Sequence, residues 1–489
     1  MIESKRKSLW LLTGSQHLYG PETLEKVAEN SRKVAASLHA NEVIPTDVVW
    51  QPVLTGSNEI YQTIRAAEMD DQCVGIICWM HTFSPAKMWI RGLGILTKPM
   101  CHLHTQFHRD IPYADIDMDY MNLHQSAHGG REFGHICTKL GLDRKVLVGH
   151  WARPQVQSKL GSWARVALGR SSERCMKVAR FGDNMRKVAV TDGDKVAAQI
   201  TFGYEVDGFG VGDLVERIAA VSEVRVNKLL EEYAEVYTLA DSVLPAGDLR
   251  GNLLVSARNE LGIGDFLREG GYTAFTDTFE DLHGLPQLPG LAVQRLMGQG
   301  YGFGGEGDWK TAALVRTMKV MAEGLPGGNS FMEDYTYNFE PGNESVLGSH
   351  MLEICPSIAA DKPRIECHPL GIGGKEDPCR LVFNGRTGLA LNASMVDLGD
   401  KFRLIVNTVT AKAPAAELPK LPVARVLWET HPDMETGVAG WIYAGGAHHT
   451  SYSQNLTAEQ MYDYAAMSGV ECIIIDEHTN LRQLRTELY

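Results

Sequence analysis

The sequence predicts an α/β protein with an N-terminal doubly wound parallel sheet, an α/β middle part and a C-terminal part rich in β-strands. Three observations predict this arrangement. Short apolar runs alternate with segments of helical periodicity in the first hundred residues, which is the pattern of βαβ units. Long helical patterns follow at 226–237, 251–269 and 308–324. Short β-branched runs separated by Gly, Asn and Asp begin after residue 326.

Length and charge narrow the class of protein. A chain of 489 residues is too long for one ordinary hydrophobic core, so we expect about two to four domains. The formal net charge of -13 opposes binding to nucleic acid or to an anionic membrane surface. No stretch approaches the roughly eighteen apolar residues of a membrane-spanning helix, and the first apolar run is too short for a signal peptide. We therefore expect a cytoplasmic protein with neither nucleic-acid nor membrane partners.

The nine cysteines are odd in number, scattered along the chain and without a C-x-x-C pair. This pattern disfavours both a disulfide framework and a structural zinc site. We expect reduced and mostly buried thiols.

The N-terminal units place polar side chains after successive strands. The strand Leu9–Thr13 precedes a helix opened by Pro21, Val74–Met80 is a second strand, and Met100–His108 fits a third unit. In a doubly wound sheet, the loops after the strands gather at one edge, where ligands bind. The residues expected to share this rim are Gln16, His17, Tyr19, His81, Phe83, His104 and Gln106.

The pattern changes near Val178. Residues 188–200 read as a hairpin turning at Asp192-Gly193, an antiparallel feature suited to a new domain. The break at 326–329 is the best candidate for a linker. Strands are predicted beyond it at 381–384, 389–397 and 402–410, and they suit a small barrel or a sandwich.

The most informative polar residues are acidic side chains and histidines that lie beside glycines, turns or strand ends. Two carboxylates and two imidazoles with open positions left for a substrate suit Mn²⁺ better than a thiol-rich zinc site. Taken singly, each such residue is more often a solvated surface group or a hydrogen-bonded core residue. The segments that carry them are Gly304–Lys310, Phe331–Tyr335, Gly348–Met351 and Gly445–Thr450.

Two glycine-rich segments suggest nucleotide binding and are rejected. Gly302–Gly307 matches G-x-G-x-x-G by letter, but a helical pattern rather than a strand precedes it, and Glu306 would point negative charge at a pyrophosphate. Gly371–Lys375 resembles a phosphate loop, yet Glu376 stands where Ser or Thr is required.

Several longer segments, among them GSQHLYGPET from Gly14 and GEGDWK from Gly305, resemble the bacterial L-arabinose isomerases. The resemblance runs in colinear order from about residue 8 to about residue 476, and the tail Leu481–Tyr489 departs from it. The matching segments are Gly14–Thr23, His81–Trp89, Ala127–Gly134, Arg180–Arg186, Thr278–Gly284, Gly305–Lys310, Ser330–Tyr335 and Gly445–Thr450.

The resemblance implies a three-part subunit: a Rossmann-like domain at 1–176, a central α/β domain at 177–325 and a domain with a β-barrel at 326–489. It also implies one Mn²⁺ per subunit, although other divalent cations remain open. The implied ligands are Glu306, Glu333, His350 and His449.

The resemblance further implies a homohexamer, built as paired trimers, in which a neighbour's N-terminal rim supplies part of each sugar pocket. Glu306 and Glu333 are expected to act as acid and base, and His128 as a polar substrate contact or proton relay. The remaining expected substrate contacts are Gln16, Leu18, Tyr19, Phe83, Met185, Phe279, Ile372 and His448.

The implied activity is interconversion of L-arabinose and L-ribulose, with D-galactose as a further expected substrate. An enediol route and a hydride shift both remain open, and the resemblance favours the enediol. Metal ligands of this type can also serve a metallohydrolase. A non-catalytic sugar-binding protein and a nucleotide-dependent oxidoreductase are further alternatives.

Overall fold

The computed structural model describes residues 7–371 and 374–488. The chain divides after Ser171 into two compact units, called unit 1 and unit 2 below. The predicted central and C-terminal segments, 177–325 and 326–489, both belong to unit 2. Among the described residues, every helix is either too short or too polar to cross a bilayer.

Unit 1 contains a parallel sheet with the strand order β2-β1-β3-β4-β5. Strand β3 is buried at all eight positions, as expected for a strand covered on both faces. This order and burial confirm the predicted doubly wound sheet. The strands are β1 (Ser8–Gly14), β2 (Asp47–Trp50), β3 (Cys73–Met80), β4 (Met100–His104) and β5 (Lys145–Val148).

The helices of unit 1 follow the predicted periodicity. The first one carries proline in its first turn and buries the stripe formed by Val27, Val34 and Leu38. The helices are α1 (Gly20–His39), α2 (Ser57–Met69), α3 (Ile90–Leu93), α4 (Met118–Leu123), α5 (Ser126–Lys139) and α6 (Pro154–Glu173).

His81 directly follows strand β3, at the sheet edge where the rim is predicted. Its side chain is fully buried. The Nδ1 nitrogen lies 3.0 Å from the carbonyl oxygen of Leu123, and the Nδ2 of Asn30 lies 3.1 Å from its Nε2. His81 is therefore a hydrogen-bonded core histidine, which position after a strand does not distinguish from a histidine that contacts ligand.

Unit 2 begins with a second parallel sheet of order β10-β9-β6-β7, and a small sheet of order β14-β13-β8 lies beside helical segments. The strands up to residue 382 that build these sheets are β6 (Lys177–Phe181), β7 (Glu205–Phe209), β8 (Thr238–Leu239), β9 (Ala274–Asp277), β10 (Gly302–Gly304), β13 (Arg364–Cys367) and β14 (Cys379–Val382).

The C-terminal strands close into an antiparallel barrel of order β15-β18-β11-β12-β17-β16, because β16 also pairs with β15. Strand β19 adds to β16 in parallel. Of the two architectures that the sequence allowed, the structure therefore has the barrel. Its strands are β11 (Asn329–Asn338), β12 (Ser345–Ser349), β15 (Gly388–Asp397), β16 (Phe402–Lys412), β17 (Arg425–Thr430), β18 (His449–Ser453) and β19 (Glu471–Ile475).

The hairpin predicted at 188–200 is wrong, because residues 195–202 form a helix. The side chain of Asp194 accepts hydrogen bonds from the backbone N–H groups of Val196 and Ala197, so it caps that helix. The three predicted long helices are present as α9, α10 and α12. The helices of unit 2 are α7 (Lys195–Phe202), α8 (Val211–Ala219), α9 (Glu223–Val236), α10 (Arg250–Gly270), α11 (Gly290–Gly298), α12 (Trp309–Met321), α13 (Met434–Ala444), α14 (Ala458–Ser468) and α15 (Leu481–Leu488).

One cysteine pair departs from the expectation of reduced thiols. Cys367 on β13 and Cys379 on β14 oppose each other in the antiparallel register and are joined by a disulfide. Their spacing along the chain gives no sign of this pairing, since the pairing depends on strand register. The other seven cysteines are reduced, as expected.

Candidate active site

Glu306 lies on a tight turn between strand β10 and helix α12. Its φ of 62° lies in the left-handed region. Among the described residues, Glu306 is the only one other than glycine with a positive φ. A side chain in this conformation costs roughly 1–2 kcal/mol. The backbone N–H of Met185 donates to the carbonyl of Glu306 at 3.0 Å, and the N–H of Gly307 donates to the carbonyl of Asp277 at 2.9 Å. The surrounding chain therefore holds the turn in a strained conformation.

The barrel brings three other predicted ligands together. Strand β11 lies between β12 and β18, and Glu333 pairs with Ser349 on one side and with His449 on the other. His350 follows directly after Ser349. Strand register therefore places one carboxylate and two imidazoles at the same end of three adjacent strands.

These side chains converge with Glu306. The Nε2 of His449 lies 3.7 Å from the Oε2 of Glu306, and the Nε2 of His350 lies 3.9 Å from the Oε2 of Glu333. One possible ligand atom from each of Glu306, His350 and His449 lies within 4.8 Å of the others. All four predicted metal ligands thus line one small volume.

His448 also reaches this volume. Its Nε2 lies 3.9 Å from a carboxylate oxygen of Glu306 and equally far from one of Glu333. Its side chain is 37% exposed, whereas that of His449 is completely buried. His448 therefore lies at the open side of the cluster, which is compatible with its predicted contact to substrate.

Two buried atoms of the cluster lack hydrogen-bond partners among the described residues: the Oε2 of Glu306 and the Nε2 of His449. Leaving such atoms buried and unsatisfied is costly. A carboxylate oxygen and an imidazole nitrogen facing each other are suitable donors to a divalent cation. The residues present therefore fit the Mn²⁺ site that the sequence predicts.

Carboxylates on the far side of each ring orient both imidazoles. The Nδ1 of His449 lies 3.1 Å from the Oδ2 of Asp308, and the Nδ1 of His350 contacts the Oε2 of Glu353 at short range. Such partners direct the Nε2 nitrogen towards a metal. Asp308 and Glu353 are not among the predicted site residues, although Asp308 lies inside the matching segment Gly305–Lys310 and Glu353 is three residues beyond His350.

The electrostatics of the cluster follow from burial and from these pairs. Burial raises the pKa of Glu306, but the nearby imidazoles of His448, His449 and His350 outweigh it, so the pKa lies below its usual value. Burial lowers the pKa of His350, but Glu353 dominates and raises it to about 9. For Asp308, the charge of Lys310 and the hydrogen bond with His449 overcome burial and hold the pKa well below its usual range.

A cavity adjoins the cluster. Phe279, Met351 and Leu352 form apolar parts of its wall, next to Glu306 and His350. Asp277 also lines it, and burial, with a smaller effect from Glu353, raises the pKa of Asp277 to about 7. Phe279 is therefore next to the predicted ligands.

Met185 and Ile372 are the other two residues of this part of the chain that are predicted to contact substrate. Met185 adjoins the ligand cluster through its backbone hydrogen bond to Glu306. Ile372 lies outside the described residues. Nearby, Lys375 donates hydrogen bonds to the carbonyls of Leu282 and Leu285, which is a structural use of the lysine that had suggested a phosphate loop.

The remaining predicted contacts lie on unit 1. A hydrogen bond of 2.7 Å between the hydroxyls of Ser15 and Thr82 joins the loops that follow β1 and β3. Leu18 is 82% exposed on the first loop, and the ring of Phe83 stacks on that of His128 with centroids 4.5 Å apart. One edge of unit 1 therefore carries the five residues Gln16, Leu18, Tyr19, Phe83 and His128.

The structure also argues against a dinucleotide-binding role for the segment Gly302–Gly307. Helix α11 precedes the glycine-rich segment, and the first glycines of that segment themselves form the short strand β10. A dinucleotide-binding fingerprint follows a strand, whereas this segment follows a helix, as predicted.

The fold and the site together define an α/β protein that carries a carboxylate–imidazole cluster at one end of a C-terminal barrel. Models of three L-arabinose isomerase domains match the chain: the N-terminal domain at residues 3–175, the central domain at 177–324 and the C-terminal domain at 328–471. The chain has the three-domain architecture of these models.

Known relatives extend the match to the whole chain. The L-arabinose isomerase of Geobacillus thermodenitrificans is 57% identical over 488 residues, covering 100% of this chain and 98% of that protein. Those of Anoxybacillus flavithermus and Halalkalibacterium halodurans are 58% and 56% identical, with 100% of this chain and 97% and 98% of the relatives covered. The chain belongs to the L-arabinose isomerase family, and it is an isomerase.

Proposed function

We propose that this chain interconverts L-arabinose and L-ribulose and that it requires one Mn²⁺ per subunit. Family membership and the names of the relatives support the sugar substrate. One observation carries the metal requirement: the buried Oε2 of Glu306 and Nε2 of His449 face each other at 3.7 Å without hydrogen-bond partners among the described residues. Glu333 and His350 complete the proposed ligand set.

The proposed chemistry moves a hydrogen between C1 and C2 of the sugar and a proton between their oxygens. When bound, Mn²⁺ supplies a Lewis acid that polarises the sugar carbonyl. Glu306 and Glu333 are the proposed acid and base groups. The lowered pKa of Glu306 favours its ionised carboxylate, the form that binds a cation. The enediol route remains our preferred proposal over a hydride shift.

The apolar wall beside the cluster suits a sugar that must be shielded from bulk water during proton transfer. Phe279 lines the cavity next to Glu306. We propose that Met185, Ile372 and His448 contribute further contacts from the same subunit. Shielding of this kind strengthens electrostatic interactions at the reacting atoms.

The rim of unit 1 is proposed to complete the pocket of a neighbouring subunit in a homohexamer. His128 stacks on Phe83 and offers a polar edge for a sugar hydroxyl or a proton relay. Gln16, Leu18 and Tyr19 lie on the adjoining loop. The cytoplasmic location and a secondary activity on D-galactose, which shares the relevant stereocentres with L-arabinose, likewise remain proposals.

The test is ketose formation from L-arabinose after chelation of metals, with Mn²⁺, Mg²⁺ or Zn²⁺ added back. Wild-type protein and Glu306→Ala are compared at equal concentration. Restoration by Mn²⁺ in the wild type alone supports both the reaction and the metal site. Full activity of chelated wild type, or absence of L-ribulose under every metal, overturns the proposal.

A further inference from the structure

The strained turn at Glu306 needs support, because such a backbone conformation persists only where neighbouring structure holds it. The loop between β6 and α7 provides that support. The backbone N–H of Met185 donates to the carbonyl of Glu306 at 3.0 Å. The side chain of Asn184 donates to the next carbonyl, that of Gly307, also at 3.0 Å. Two consecutive loop residues therefore bind two consecutive carbonyls of the turn.

The carboxamide of Asn184 is fully engaged in this role. Its Nδ2 also donates to the carbonyl of Thr191 at 2.6 Å, and its Oδ1 accepts from the Nη1 of Arg180 at 2.5 Å. The residue is only 8% exposed. Because both donors and the acceptor are used, the orientation of the amide is fixed, and it connects the turn to the far end of the same loop.

That far end is connected to the support of a second ligand. The ammonium group of Lys310 donates to the carbonyls of Thr191 and Asp192 at 3.0 and 2.6 Å. It also lies 3.4 Å from Asp308, the carboxylate that contacts the Nδ1 of His449. The loop thus contacts both the turn of Glu306 and the residues that orient His449.

We infer that Asn184 is a positioning residue for the metal site, because its amide holds the Glu306–Gly307 turn at the distance from His449 that cation binding requires. The inference rests on the proposed function, since it takes Glu306 and His449 as ligands. Asn184 itself contacts neither the cation nor the sugar. Loss of the Asn184 side chain should therefore weaken metal affinity, whereas the turnover of the metal-saturated enzyme should be retained.

Asn184→Asp tests the hydrogen bonds with little change in volume. An aspartate can still accept from Arg180, but it presents oxygens instead of donors to the carbonyls of Thr191 and Gly307. Asn184→Ala removes the contacts without adding repulsion, and it is the second variant should the first fold poorly. Asn407→Asp is the matched control, because the buried amide of Asn407 donates to carbonyls of Thr408, His431 and Ile475 in the barrel.

The experiment measures the Kd of Mn²⁺ for the full-length apoprotein by electron paramagnetic resonance of the free ion, together with the Tm of the metal-free proteins. For both Asn184 variants, the expected Kd is about 10- to 100-fold higher than that of the wild type. The control is expected to lower the Tm without changing the Kd. Turnover of Asn184→Asp should recover at saturating Mn²⁺.

Two results would overturn the inference. One is an unchanged Kd in the Asn184 variants, and the other is an equal loss of affinity in Asn407→Asp, which would mark a general effect of destabilisation. A wild type that binds no Mn²⁺ would instead refute the proposed function, so the two failures are distinguishable.

Discussion

The Oδ2 of Asp308 lies 3.1 Å from the Nδ1 of His449, and both side chains are buried. The same carboxyl group caps helix α12, because Asp308 accepts hydrogen bonds from the backbone N–H and the hydroxyl of Thr311 at 3.1 and 2.8 Å. One residue therefore begins the helix after the Glu306 turn and orients an imidazole from the barrel. Helix stability and ligand geometry are coupled through it.

This double role predicts different outcomes for two substitutions of Asp308. Asn is as good a helix cap as Asp, so Asp308→Asn should retain the cap while removing the negative charge beside His449. We expect Mn²⁺ affinity to fall by about 10- to 100-fold. Asp308→Ala should additionally lose about 0.5–2 kcal/mol of unfolding free energy with the cap. Calorimetric titration and urea unfolding measure the two effects, and equal stability of both variants would contradict the capping role.

The strained backbone at Glu306 predicts that two variants that both lose the metal ligand will differ in their free energy of unfolding. Glu306→Gly and Glu306→Ala both remove the carboxylate, so neither should bind Mn²⁺ as the wild type does. Only glycine adopts the positive φ without a steric penalty, and we expect Glu306→Gly to be more stable than Glu306→Ala by about 1 kcal/mol. Urea unfolding of the metal-free proteins measures this difference. An alanine variant at least as stable as the glycine variant would show that the turn relaxes.

Histidines buried in unit 1 predict a loss of stability at acid pH. Burial, with a smaller effect from His124, lowers the pKa of His81 to about 3, and burial lowers the pKa values of His102 and His124 to about 4. Below the unfolded value of about 6.5 the unfolded chain takes up protons that the folded unit does not. Stability is therefore complete above that pH, and each histidine costs about 1.4 kcal/mol per pH unit as the pH falls towards its folded pKa.

Fluorescence-detected urea unfolding of the wild type between pH 7 and about 4 measures this slope. His81→Gln removes one of the groups that take up a proton on unfolding, so the free energy of unfolding should depend less steeply on pH. A slope identical to that of the wild type would mean that His81 titrates in the folded protein.

A buried ion pair in unit 2 predicts a large cost for removing one partner. The Nε of Arg295 donates to both carboxylate oxygens of Glu260 at 3.0 and 2.9 Å, and the hydroxyl of Tyr233 donates to the same carboxylate at 2.6 Å. Arg295→Met leaves Glu260 buried without its cation, and we expect a loss of about 3–5 kcal/mol. The double variant Glu260→Leu/Arg295→Met should recover much of it. Chemical unfolding of the wild type, Arg295→Met, Glu260→Leu and the double variant provides the comparison, and additive losses would contradict the prediction.

The sequence was sufficient for the class of fold and for the residues of the site whose neighbours formed a recognisable segment. Glu306, Glu333, His350 and His449 were all predicted from such segments, and the structure brings them together. Asp308 and Asn184 were not identified, because their roles depend on hydrogen bonds to parts of the chain distant in sequence. Neither residue type nor local spacing reports a partner more than a hundred residues away.

The errors have two physical origins, one local and one that depends on strand register. The hairpin at 188–200 was inferred from Asp192-Gly193, but the next residue, Asp194, caps a helix, and capping outweighed the local turn signal. The disulfide between Cys367 and Cys379 depends on the register of two strands.

The strand register of the closed barrel also determines which side chains face the ligand cluster. Successive side chains of a strand point to opposite faces, so Met332 packs in the core with Trp428 and Tyr452 while Glu333 faces the ligand cluster. A slip of one residue would exchange these two side chains between an apolar interior and the cluster. Strand β11 is paired on both edges, and a slip would have to break both ladders at once. The apolar residues of the barrel interior thus maintain the strand register, and the register maintains the spacing of the ligands.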